Sequence, residues 1–307
     1  MKESVIIIVA IVLAAADQAD NTDVLYRIAL QRPYTAGESF RVDVVKKEKT
    51  AATASRKGEL LDARMTQWTV RMDAIFTASE VTPTGSLKKA TYKIRSFTAD
   101  RGEGEQEVLP RGSVVTALYG GDIPAFEIDG KKADERITAA LLQIITGNRE
   151  GMNDDIMFGS STPKKIGDCW GINADQISRY FASSGITVKK ESLRGSTCLE
   201  KALTHNSVPC LQLRGWLEMR DLMDPRMRVK VTHSTARADF SGIFPIDEKK
   251  KCLGSHIVMN MALTGTGPAP DGGTEITVEL SQNQDCLLYT SDAADDLLCV
   301  DLGGRRI

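Results

Sequence analysis

From Trp68 to Phe76 the chain alternates without a break. Trp68, Val70, Met72, Ala74 and Phe76 fall on one side, and Thr69, Arg71, Asp73, Ile75 and Thr77 on the other. A period of two marks a strand with one face against a core, and a slip of one residue would expose that whole apolar set. The same period returns at Phe40–Val45, at Thr91–Phe97, where Phe97 falls one position off register, and at Val114–Leu118. Leu25–Leu30 is a further strand candidate, and Phe126–Asp129 runs into Asp129-Gly130, a tight-hairpin signal.

The second half repeats the pattern. Strands are expected at Ile186–Lys190, Ser196–Leu203, Pro209–Met219, Met227–Thr232, Ala238–Phe244, Ile257–Thr264 and Thr274–Leu280. Two helices interrupt them. Asp134 caps a helix through Ile145 that aligns Ile137, Leu141 and Ile144. Asn173 caps another through Ser184 with Ile177, Tyr180 and Phe181 on one face. Strands this numerous, joined by short turns, favour an antiparallel meander. The expected fold is mainly β (α+β): a large curved antiparallel sheet or half-barrel with two short covering helices. Glu48–Gly58 and Gly265–Gly273 read as loose connections.

The N-terminus carries Lys2, an aliphatic run Val5–Leu13 and the small residues Ala14-Ala15-Ala16. That is the layout of a signal peptide spanning 1–16, and the run is well short of the ~20 residues that cross a bilayer. The chain is therefore expected to be exported, to the periplasm or beyond, with no integral membrane span after cleavage. The rest, 17–285, reads as one β-rich domain or as two lobes meeting near 147–163. Cys169, Cys198, Cys210 and Cys252 then sit in an oxidising compartment, where four cysteines allow three pairings. Cys198 and Cys210 flank the turn-like Thr204–Ser207 and could face each other across a hairpin; Cys169 with Cys252 would complete the set with nothing local to support it, and free buried thiols are an equal alternative.

The C-terminus is of another kind. Cys286-Leu-Leu-Tyr-Thr-Ser291, Asp292-Ala-Ala-Asp295 and Val300-Asp-Leu-Gly-Gly-Arg-Arg-Ile307 resemble, in frame, the translated adapter of a transposase-based sequencing library with a barcode between its halves. On this reading 286–307 is an artefact and the protein is truncated after Asp285. The net charge of -2 then becomes zero, because the tail holds four aspartates and two arginines.

Three stretches carry a family resemblance: Lys164-Lys165-Ile166-Gly167-Asp168-Cys169-Trp170, Val208-Pro209-Cys210-Leu211, and Phe240-Ser241-Gly242-Ile243-Phe244-Pro245-Ile246-Asp247. Together they resemble uncharacterised exported bacterial β-rich proteins, grouped under domains of unknown function. The resemblance implies a similar fold and assigns no catalytic residue.

Motif chemistry is sparse. His205, His233 and His256 form no close ligand pair, and there is no CxxC, GxSxG or dinucleotide loop. Glu150, Asn153, Asp154 and Asp155 carry oxygen ligands without calcium-loop spacing. Neither metal nor cofactor is expected, and a near-neutral charge argues against nucleic acid as partner. The row Arg226, Arg228 and Lys230 reads as a solvated or edge-protecting strand face.

Three function classes remain. The first is a non-enzymatic exported protein that binds an apolar ligand or a protein partner on the curved sheet, its groove lined by Trp68, Met72, Phe76, Met259 and Met261. The second is a secreted hydrolase whose site is assembled from distant residues, with Cys169 and a histidine among the candidates. The third is a structural or surface-assembly protein. An enclosed apolar cavity would favour the first.

Overall fold

The computed structural model describes residues 23–121, 123–145, 153–183, 185–224, 229–268 and 275–292. The signal-like segment 1–16, part of the 147–163 boundary including Glu150, the pair Arg226 and Arg228, and the tail beyond 292 lie outside the described residues.

Thirteen strands form one antiparallel sheet. The N-terminal half supplies β1 (Ser39–Arg56), β2 (Glu59–Val81), β3 (Leu87–Asp100), β4 (Gln106–Leu109), β5 (Val114–Leu118), β6 (Ala125–Ile128) and β7 (Lys131–Lys132). The C-terminal half supplies β8 (Cys169–Gly171), β9 (Leu193–His205), β10 (Val208–Arg220), β11 (Lys230–Pro245), β12 (Gly254–Gly267) and β13 (Ile276–Asp292). Their order is β7-β6-β5-β3-β2-β1-β13-β12-β11-β10-β9-β8, with β4 beside β3. Two meanders thus meet where β1 pairs with β13, a contact between distant parts of the chain that no local turn dictates. Among the described residues three α-helices lie against the sheet: α1 (Glu135–Ile144), the single turn α2 (Asp154–Met157) and α3 (Ala174–Ser183). The expected mainly-β architecture and both expected helices are present; α2 is additional.

The alternation of β2 becomes burial. Val70, Met72, Ala74, Phe76 and Ala78 are all buried. Phe97 reaches the same face as Ile94 because Ala74 pairs with Ile94 and Asp73 with Ser96, which leaves Arg95 as a bulge. α1, capped by Asp134 Oδ1 on the Ile137 amide at 2.8 Å, covers this core with Ala140 and Leu141. A second core gathers Met157, Ile177, Leu193, Leu217 and Met219, with Met261 packed against it. A third joins Ile28 to Leu199, Leu211 and Leu213.

Several expectations are corrected. Glu48–Gly58 is not a loose connection but the far end of the β1–β2 hairpin. Lys57 and Gly58 both adopt positive φ and close a tight turn, and β13 pairs along the other side of β1. Small, polar residues look loop-like in sequence but cost little in a strand already flanked on both sides. Gly265–Gly267 likewise belongs to β12, and 269–274 lies outside the described residues.

Leu25–Leu30 makes one isolated bridge, Tyr26 to Lys164, and otherwise runs as an extended strap. Ile186–Lys190 has a single bridge, Thr187 to Met223, and passes into a 3-10 turn at Lys190–Ser192. Of the strand expected at Met227–Thr232, residues 227 and 228 lie outside the described residues; the part from Lys230 merges with the strand expected at Ala238–Phe244 into β11, because His233–Arg237 pairs with β12 rather than turning. Of the strand expected at Thr274–Leu280, residue 274 lies outside the described residues and the part from Ile276 begins β13, which has β1 on one side and β12 on the other.

The disulfide expectation is also corrected. Cys169 of β8 bonds Cys198 of β9. In the β9–β10 hairpin Cys198 faces Arg214 while Cys210 faces Leu203, so the register keeps Cys198 and Cys210 apart. Cys210 is a buried free thiol and Cys252 a half-buried one.

Candidate ligand cavity

Directly opposed residues of antiparallel strands share a face. Trp68, Glu48, Gln284, Met259, Ala238 and Leu217 form one such row across six strands. Met72 continues through Val44 to Leu288, and Met261 stands opposite Ala236. The five residues expected to line a groove therefore sit on one face of the sheet, but they do not line one groove. β1 and β13 separate Trp68 from Met259, three strand spacings or about 14 Å. Between them Gln284 Nε2 donates to Glu48 Oε2 at 3.1 Å, and Lys46 Nζ lies 3.5 Å from that same oxygen. This polar band divides the apolar face.

Each expected residue has its own surroundings. Trp68 lies beneath the Arg101 guanidinium, 4.5 Å from the ring centroid, beside a recess of about 220 Å³. Met261 packs on the α3 side and borders an open trough of about 750 Å³. Met259 is half-buried. Met72 and Phe76 come together in the wall of a cavity of about 430 Å³.

That cavity is assembled from distant segments. Its floor is apolar: Val42 and Val44 from β1, Met72 and Phe76 from β2, and Tyr92 from β3. Ile144 and Ile145 close one side, and Cys252 and Leu288 another. The strap Leu30–Tyr34 forms the roof. No periodicity marks the strap; what holds it is long-range hydrogen bonding. The Leu30 amide donates to Asp155 Oδ1 and the Tyr34 amide to the Gly85 carbonyl at 2.8 Å. Gly85 has positive φ, and a Cβ there would collide with Pro33, so the strap needs glycine beneath it.

The roof is also the polar part. Arg32 donates from Nη2 to the Pro245 carbonyl at 2.8 Å and from Nη1 to that of Asp247 at 3.3 Å. Its Nε is buried and has no hydrogen-bond partner among the described residues. Burial pulls the Arg32 pKa down, opposed by Glu248, Cys252, Asp155 and Asp247. Lys251 Nζ donates to the Pro33 carbonyl, pairs with Glu38 Oε2 at 3.0 Å and stands 4.5 Å over the Tyr34 ring. Burial, reinforced by Tyr119, Glu38 and Cys252, pushes Tyr34 up to about 12. Tyr92 is raised well above its ordinary value, first by burial and then by Tyr119, whose hydroxyl lies 3.1 Å away. Both phenols therefore stay neutral in the ordinary pH range. Asp154 also lines the cavity, and burial, then Asp155, raises its pKa.

The hydrolase candidates are dispersed. Cys169 is consumed by its disulfide. His256 Nε2 pairs with Asp285 Oδ1 at 2.8 Å on the opposite, solvent-facing side of the sheet. Asn153 caps α2 through its Oδ1, and Asp155 holds the strap. Among the described residues no cluster of three or more His, Cys, Asp or Glu could hold a metal ion. No helix among them is long and apolar enough to cross a membrane.

No family model matches the chain, so the motif resemblance at Lys164–Trp170 has no matching model behind it. No curated protein matches it either. Solved structures match at low scores. A lipovitellin structure described by its lipid–protein interactions is 9% identical, covers 89% of this chain and 26% of its own, and has a TM-score of 0.35. The outer membrane protein OprG of Pseudomonas aeruginosa is 7% identical, with 85% and 99% covered and a TM-score of 0.17. A LolA superfamily protein from Nitrosomonas europaea is 9% identical, with 84% and 86% covered and a TM-score of 0.10. This chain is similar to each over most of its length, but at these scores none of them carries an argument about it.

Proposed function

We propose that this protein is an exported, non-enzymatic carrier that holds one apolar chain with a polar head in the cavity beneath the strap. The observation that carries the reading is this half-open pocket, about 430 Å³ with an apolar floor of Val42, Val44, Met72 and Phe76. Cavities of roughly 300–1,000 Å³ are the usual size for small ligands, mostly apolar with a few placed polar groups. Here the placed polar groups are the Arg32 guanidinium and the Lys251 ammonium, both residues of the pocket lining. A carboxylate or similar head would pair with these cations through charge-assisted hydrogen bonds. Leu288 and Thr290, also in the wall, belong to the adapter-like stretch; the floor residues do not. Export is supported by the signal-like 1–16 and by the Cys169–Cys198 disulfide, since such bonds persist chiefly in oxidising compartments.

The test is titration with a fluorescent fatty acid. The protein should bind it saturably at one per chain. Val44→Trp, which fills the floor, should weaken binding at least about ten-fold while far-UV circular dichroism stays unchanged. Absence of saturable binding, or binding untouched by Val44→Trp, would refute the carrier reading.

A further inference from the structure

The β1–β2 hairpin extends beyond the cores, and one side of it has no partner strand among the described residues. β3 pairs with β2 only from Thr69 onward. Glu59–Gln67 therefore meets β1 alone, with Leu61 standing out as a bulge between Leu60 opposite Ser55 and Asp62 opposite Ala54, and all nine residues are exposed. Three of them are large and apolar: Leu60 at 62%, Leu61 at 48% and Met65 at 69% exposure. The strands at the two ends of the sheet differ from this edge. β7 is two lysines, and β8 is three residues pinned by a disulfide. Both are short or charged, as protected edges tend to be.

The sequence of the free edge is complementary to itself. Set antiparallel against a second copy, with the two-fold axis through Ala63, residue 62 faces residue 64 of the other copy and residue 61 faces residue 65. Asp62 then stands opposite Arg64 twice, and Leu61 opposite Met65 twice. Leu60 faces Thr66, and Glu59 faces Gln67. Within one chain Arg64 Nε already lies 2.8 Å from Asp62 Oδ2, so two copies would close a ring of four alternating charges. On the other face Ala63 would meet Ala63 at the axis, and each Met65 would reach toward the bulged Leu61 of the other copy. Opposite charges and apolar pairs across strands stabilise pairing, and like charges oppose it. A two-fold axis is also the common way for one surface to serve both partners.

We propose that two copies of this chain join edge to edge through Glu59–Gln67, extending the sheet from one copy into the next. The segment lies outside the ligand cavity and outside the adapter-like stretch, so the proposal is independent of both.

The test is sedimentation equilibrium on the full chain from about 1 to about 200 µM, where a weak strand-edge dimer would show itself. The wild type should approach twice the monomer mass as concentration rises. Asp62→Arg places like charges opposite each other at two points and should raise the dimer dissociation constant at least about ten-fold, with circular dichroism unchanged. The double swap Asp62→Arg with Arg64→Asp restores opposite charges across the axis and should restore the dimer. A wild type that stays monomeric throughout, a dimer indifferent to Asp62→Arg, or a double swap that fails to restore it would each overturn the proposal.

Discussion

Removing the Cys169–Cys198 disulfide is a perturbation whose size follows from the structure. The two cysteines are 29 residues apart, so the bond closes a loop of about 30 residues. Chain-entropy reasoning gives about 3.5 kcal/mol at 25 °C for a loop of that length, lost when the bond is absent. For a domain of this size that is roughly 7–14 °C in melting temperature. The loss should start locally. β8 is a three-residue strand held to β9, and Trp170 within it donates to the Phe158 carbonyl at 2.8 Å. The assay is urea unfolding of Cys169→Ser/Cys198→Ser against the wild type, with and without reductant. Reductant should lower the wild type to the level of the variant and leave the variant unmoved. Cys210→Ser should leave the disulfide intact in a non-reducing peptide map. A loss below about 1 kcal/mol, or a map that joins Cys198 to Cys210, would refute both the register and the magnitude.

Three further outcomes are expected. Asp154 is buried beside Asp155, and its raised pKa means that folding opposes its charge. The protonated carboxyl stabilises the fold at low pH, and that contribution is lost as pH rises through the folded pKa. Asp154→Asn should therefore raise the urea midpoint at pH 7 and lose this advantage in acid below about pH 4, where both forms are neutral. Tyr34 works at the other end of the scale: its folded pKa is about 12 against about 10 in the unfolded chain. Its contribution is full below pH 10 and lost as pH rises toward 12, so the urea midpoint should fall over that window, less steeply in Tyr34→Phe. Resequencing the gene should replace the adapter-like codons after Asp285 with a natural continuation. Positions 286 and 288 of that continuation should be apolar or small, since they stand opposite Lys46 and Val44 on the core face; an uninterrupted genomic frame through Ile307 would contradict the adapter reading.

Much of the fold could be read from local pattern because a strand with one buried face must alternate. β2, β5 and the Asp129-Gly130 hairpin follow from residues within a few positions of one another. The off-register Phe97 was already a sign of the bulge at Arg95. Features set by distant pairing were not legible. The meeting of β1 with β13 joins the two ends of the chain, and the Cys169–Cys198 bond depends on β8 docking beside β9. Both are decisions of register and topology. Leu25–Leu30 reads as a strand from its alternation, but in the strap that it opens the hydrogen bonds go to Lys164, Asp155 and Gly85. For the same reason Met72 and Phe76 could be named as candidates while Arg32, Lys251 and Tyr34 could not: a roof that crosses the sheet leaves no period.

Cys286–Ser291 also shows why alternation alone does not authenticate a segment. Leu287, Leu288, Tyr289 and Thr290 are strong β-formers. They extend β13 between Phe40–Lys46 and Gly254–Ile257, and would do so whatever their origin.

The most direct measurement of the central claim is native mass spectrometry of the protein recovered from a bacterial periplasm. The carrier account predicts a fraction of the chain with one bound amphiphile of acyl-lipid mass, absent from Val44→Trp prepared in the same way. A wild-type chain that appears only at its bare mass, and stays so after incubation with excess fatty acid, would contradict it.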